Sequence, residues 1–115
     1  MIRRLQIGPR MSQAVIHGDA VYLAGQVAAD PTGDVGSQTR QILDAIDTLL
    51  AEAGSDKTRI LSATIYLADI STFSEMNSVW DAWVPAGHTP ARATVEARLA
   101  APAFKVEIQI IAARL

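Results

Sequence analysis

The chain alternates between two hydrophobic rhythms. Residues 2–7, "IRRLQI", alternate loosely and predict a first strand, and "GPRMSQ" then breaks the pattern at Gly8 and Pro9. "AVIHG" (14–18) and "AVYLAGQV" (20–27) read as two strands of a hairpin turning at Gly18-Asp19. "ADPTGD" (29–34) is a loop, with Asp30-Pro31 as a turn former and Gly33 as a second break. From Val35 to Ala53 the period lengthens to that of a helix. Ile42, Ile46, Leu49, Leu50 and Ala53 make one apolar stripe. Gln38, Arg40, Gln41, Asp44, Asp47 and Glu52 fall mostly off that stripe, and Gly54 is a natural stop.

"ILSATIYLAD" (60–69) is β-branched and apolar, a buried strand that ends near Asp69. "STFSEMNSVWDAWV" (71–84) follows as a second helix. Thr72 and Glu75 have capping-box spacing, and Phe73, Met76, Trp80, Trp83 and Val84 supply its apolar side. Pro85 to Pro90 form a loop, and two more alternating segments, "ARATVEA" (91–97) and "KVEIQIIAARL" (105–115), are joined across "LAAPAF" (99–104). The order is ββ-α-β-α-ββ with an additional N-terminal strand, and a hairpin is expected at each end. It predicts an α+β fold over residues 1–115: one mixed sheet with two helices packed on one face. The strands at 20–27 and 60–68 have no charged face, so the second sheet face should be covered too, by another subunit in so short a chain.

Composition narrows the function classes. Half of the 115 residues are apolar, the net charge is −2 and there is no cysteine. Thiol nucleophiles, disulfides and cysteine metal sites are therefore excluded. No basic cluster or basic-aromatic surface suggests nucleic acid as a partner. No apolar run approaches the roughly 18–20 residues that span a membrane, and no secretory leader is legible, so a cytoplasmic protein is expected. His17 and His88 have no ligand partners at useful spacing, so no metal or other cofactor is expected.

The last two strands hold the candidate chemistry. Arg92, Thr94 and Glu96 share one side of a period of two, as do Lys105, Glu107 and Gln109. On spacing alone, Arg92 with Glu107 or Glu96 makes an ordinary cross-strand ion pair. At a cleft between subunits the same groups have another use. A guanidinium offers a planar fork to a carboxylate, and a glutamate on a neighbouring strand can aim or deprotonate a water. Arg10, in the N-terminal loop, is a further cation with a surface role as its simplest reading.

The segments "PRMSQAV", "YLAGQVA", "QTRQILDAIDTLLAEAGSD", "ATIYLADISTFSEMNSVWDAW", "PARATVEA" and "KVEIQIIAA", in this order and spacing, resemble the reactive-intermediate deaminase (Rid, or YjgF) family from about Gly8 to Ala113. The resemblance implies a chorismate-mutase-like fold and a homotrimer with a central barrel and clefts between subunits. It implies hydrolysis of reactive enamines and imines, small imino or enamino acids, to 2-keto acids and ammonia. Arg92 matches the arginine that grips the substrate carboxylate, and Glu107 the acid that positions water. Thr94 falls where backbone groups hold the substrate nitrogen. Gly25 and Gln26 match a strand-end motif near the pocket, Asn77 a polar position on the second helix, and Pro90 the loop before the arginine. Two positions depart from the pattern: Met11 is the nearest equivalent of a common tyrosine, and Ala24 stands where a serine is common. Both changes make the pocket rim more apolar and point to bulkier, more apolar imino acids. A non-catalytic regulator that binds a small ligand in the same cleft would need the arginine without the glutamate. An RNA-directed nuclease, a label also attached to the family, would need the basic surface that is missing.

Overall fold

The computed structural model describes all 115 residues, Met1–Leu115. The elements run β1 (Ile2–Ile7), β2 (Ser12–His17), β3 (Ala20–Leu23), α1 (Val35–Glu52), β4 (Ile60–Leu67), α2 (Phe73–Trp83), β5 (Ala91–Glu96) and β6 (Val106–Ala113). The strands form one six-stranded sheet in the order β1-β2-β3-β6-β4-β5. Every neighbouring pair is antiparallel except β4–β5, which is parallel. Both helices lie on one face and share a single core with the sheet. The shortest dimension, 20 Å, has room for these two layers and no third.

The apolar stripe of α1 is its buried face: Ile42, Ile46, Leu49 and Leu50 are at most 5 % exposed. Asp34 caps its N-terminus by accepting from the Ser37 N–H at 2.8 Å, and Gly54, at φ +79°, ends it. Gln38, placed off the stripe by periodicity, is fully buried. Its amide donates to the carbonyls of Pro31, Gly33 and Ala103 and accepts from the Lys105 N–H, joining two loops that have no regular partner. Gln38→Ala should therefore cost about 2–3 kcal/mol, since it leaves these groups unpaired, and lower the melting temperature visibly in a thermal melt.

Two local expectations are corrected. The capping box at Thr72 and Glu75 does not form. Asp69 accepts from the Ser71 N–H and starts the 3-10 turn that leads into α2, and Thr72 donates instead to the Asp69 carbonyl. Hydrogen bonds from Ser71 to the charged form hold the Asp69 carboxyl below its ordinary pKa. Glu75 crosses to α1 and accepts from the Gly36 N–H at 2.9 Å, where an acid complements the helix N-terminus. The C-terminal hairpin does not form either. β6 inserts between β3 and β4, and β5 lies on the far side of β4. Strand, helix and strand in succession place the second strand parallel beside the first, so β5 is committed to β4 before the chain reaches β6.

The face opposite the helices has no cover within the chain. Tyr22 is 47 %, Leu61 55 % and Val95 43 % exposed, with Val15, Tyr66 and Ile111 half-buried between them. No helix is long and apolar enough to cross a membrane.

Candidate functional site

Sheet register decides where each candidate side chain points. Arg92 pairs with Ala63, which pairs with Ile110, and both partners are buried under the helices. Glu107 pairs with Tyr66, which pairs with Val95, on the open face. Directly paired residues share a face. Arg92 and Glu107 of one chain therefore lie on opposite sides of the sheet, with β4 between their strands. The expectation that Glu107 lies on a strand neighbouring that of Arg92 fails for the reason the hairpin failed. Neither forms the ion pair that spacing alone suggested, since the chain's one ion pair joins Arg59 to Asp56.

On the helix side, α2 builds a seat for Arg92. The guanidinium donates to Asn77 Oδ1 at 2.8 Å and lies 5.3 Å from the Trp80 ring centre and 5.8 Å from that of Phe73. Phe73, Asn77 and Trp80 are spaced four and three apart, so they share one face of α2. The planar cation stacks on the rings, one N–H is fixed by Asn77, and further N–H groups remain free. Trp80 was expected in the core and is there, 4 % exposed, but its second role was missed. The three-four spacing around Asn77 was the available signal.

Thr94 shares the Arg92 side of β5, and its buried hydroxyl has no partner in the chain. The Ala97 N–H bonds the Leu67 carbonyl. Counting back by twos, Val95 and Ala93 also turn their backbone groups to β4. The N–H and C=O of Arg92 and Thr94 then point away from the sheet, along its free edge. A fork of guanidinium donors and an adjacent backbone N–H suit an oxyanion. Pro90, half-buried, sets the entry to this strand.

On the open side, Glu107 is half-buried over the bend that ends β3. The pairing of β3 with β6 slips by one residue between Tyr22–Ile111 and the isolated Gln26–Ile108 bridge, so "AVYLAGQV" is a short strand and an irregular bend. The bend brings Gly25 under Glu107: a Cβ there would sit 2.9 Å from Glu107 Cδ and overlap Oε2. Gly25, Tyr66, Arg98, Leu99, Glu107 and Gln109 line a cleft of about 330 Å³. Tyr66, Arg98 and Gln109 were not foreseen. Period two on β4 and β6 gives Tyr66 and Gln109 the face of Glu107 once the pairing is known, and Arg98 had no sequence signal.

Other candidates stand apart from that cleft. Gln26 turns to the helix side, where its amide donates to Gln13 Oε1 at 2.9 Å and to the Ala24 carbonyl. The Ala24 N–H is tied to the Gln13 carbonyl, and Met11, 57 % exposed, accepts from the Gly8 N–H in the β1–β2 loop. Neither Met11 nor Ala24 lines the Glu107 cleft of its own chain.

Known proteins resemble the chain along its whole length. The family model described as "Endoribonuclease L-PSP" matches residues 1–114. A RutC family protein of Haemophilus ducreyi is 48 % identical over 113 residues, 98 % of this chain and 97 % of that one. A bovine protein named 2-iminobutanoate/2-iminopropanoate deaminase is 37 % identical over 112 residues, covering 92 % of this chain and 80 % of its own. The crystal structure of a YjgF family member from Neisseria meningitidis superimposes with a TM-score of 0.98 at 49 % identity, over 100 % of this chain and 96 % of that one.

Proposed function

Because the chain belongs to the endoribonuclease L-PSP family, the reactive-intermediate deaminase or YjgF family, we propose that it hydrolyses reactive enamines and imines of amino acids to 2-keto acids and ammonia. Residues 1–115 act as one such domain. The carrying observation is the split site: a seated, free-armed Arg92 on one side of the sheet and a glycine-cradled Glu107 on the other. Two halves of one chain that cannot meet can meet across an interface. We assign them to a homotrimer in which open sheet faces line a central barrel, as in the chorismate-mutase-like arrangement, and Arg92 of one subunit serves Glu107 of the next. The exposed Tyr22, Leu61 and Val95 support a covered face.

The chemistry asks little of the protein. An enamine first tautomerises to the imine, and protonation of the imine nitrogen makes its carbon electrophilic. Arg92 holds the substrate carboxylate and the outward-facing backbone groups of Thr94 hold the substrate nitrogen, which together fix that carbon against a water held by Glu107. Glu107 takes a proton from the water as its oxygen bonds to carbon. The resulting carbinolamine is protonated at nitrogen, the C–N bond breaks, and ammonia leaves as the carbonyl forms. Positioning and general-base help of this kind are each worth at least about 10²-fold.

The reading is tested by generating imino acids in situ with an amino-acid oxidase and trapping what remains with semicarbazide. The protein should speed keto-acid release and suppress semicarbazone formation, and no effect across small and bulky substrates would refute the assignment. Gly25→Ala should lower kcat about tenfold or more with little change in KM, because the new methyl displaces the Glu107 carboxylate and leaves the Arg92 half untouched.

A further inference from the structure

We infer that Arg98 is a second anion-recognition point in the Glu107 half of the site, which selects imino acids carrying a second carboxylate on the side chain. The inference rests on the deaminase reading above and adds a substrate class to it. Arg98 lines the cleft that holds Gly25 and Glu107. It also borders a larger recess of about 670 Å³ framed by residues 96–102, Phe104 and Ala68 just past the end of β4. Arg98 is thus shared between the cleft and a recess that the smallest imino acids would not fill. No partner in the chain neutralises it, since the one ion pair is Arg59–Asp56, and nearby Glu96 accepts from the Ile70 N–H at 3.0 Å.

Charge makes the case specific. A side-chain carboxylate entering this cleft meets Glu107, a like charge, and is admitted only if a cation offsets it. Arg98 is the one cationic residue lining either recess. It presents the fork that binds carboxylate bidentately, while Tyr66 and Gln109 add neutral hydrogen-bonding groups on the same wall. Met11 and Ala24, whose apolar side chains pointed to an apolar preference, line neither recess. The two arginines divide the work: Arg92 of one subunit takes the carboxylate next to the imine carbon, and Arg98 of the next takes the distal one.

The test compares Arg98→Met, which keeps an unbranched stem and removes the charged guanidinium, with the wild type. Initial rates are measured on 2-iminosuccinate and 2-iminoglutarate and on 2-iminopropanoate and 2-iminobutanoate, all generated in situ. The variant should lose about tenfold or more in kcat/KM on the two dicarboxylic substrates and stay within about twofold on the others. Equal losses on both classes, or none, overturn the inference and leave the deaminase reading standing. If the wild type hydrolyses none of them, that reading fails separately, and calorimetric titration with 2-oxoglutarate and 2-oxobutanoate still decides the role of Arg98. The wild type should then bind 2-oxoglutarate about tenfold more tightly than Arg98→Met does, with 2-oxobutanoate unaffected. No difference between the two proteins overturns the inference there as well.

Discussion

Replacing Arg92 by alanine should reduce kcat/KM for imino-acid hydrolysis by about 10²-fold while the protein stays folded. Two charge-assisted hydrogen bonds to a carboxylate are worth about 3 kcal/mol together at a partly solvated site, and each 1.4 kcal/mol is a factor of ten. The side chain is exposed and its one hydrogen bond, to Asn77 in the middle of α2, is a solvent-exposed one, so the melting temperature should barely move. The structural seat refines the prediction. Arg92→Lys keeps the charge but loses the planar stack on Trp80 and Phe73 and the fork that Asn77 aligns. It should recover at most a minor part of the lost activity. Asn77→Ala should raise KM severalfold with kcat nearly preserved, because it frees the guanidinium without removing it. Full activity in Arg92→Lys would mean that a point charge suffices and that the aromatic seat is only packing.

The elements were legible in the sequence because each depends on a local rhythm. The period of α1 and its stop at Gly54, the β-branched run of β4 and the alternation of β1, β5 and β6 all appear where the residues dictated. Partners and faces were not legible. Alternation shows that Arg92, Thr94 and Glu96 share a side, but β5 is an edge strand with little burial on either face, so hydrophobicity does not say which side. Asn77, Phe73 and Trp80 settle it by contacts made on folding. "AVYLAGQV" misled in the opposite sense. Its apolar run continues unbroken, yet the pairing slips by one residue, and the slip is what turns Gly25 toward Glu107 and Gln26 away. The functional bend is therefore hidden inside the most strand-like stretch of the N-terminal half. The capping pair at Thr72 and Glu75 failed on competition: the N-terminus of α1 is a second place for an acid, and the fold brings Glu75 to it.

Opposite faces for Arg92 and Glu107 lead to the sharpest expected result. Two inactive variants, Arg92→Ala and Glu107→Gln, should restore activity when their subunits are mixed. Each alone should retain at most about 1 % of the wild-type rate, the second because it removes a general base worth 10²–10⁴-fold. Co-expression with different tags and purification through both would yield only mixed rings. In a mixed trimer of either composition, one of the three interfaces joins an intact Arg92 to an intact Glu107. About one third of wild-type activity should therefore appear, carried by sites whose affinity for substrate is normal. Within a single chain the two groups are separated by the sheet itself, so no rearrangement of side chains alone would bring them together. Activity that stays at the level of the parent variants would place both residues' contributions within one chain and overturn the shared site. Recovery near one third with an unchanged KM would establish it, since a partly repaired variant site would instead return with altered affinity.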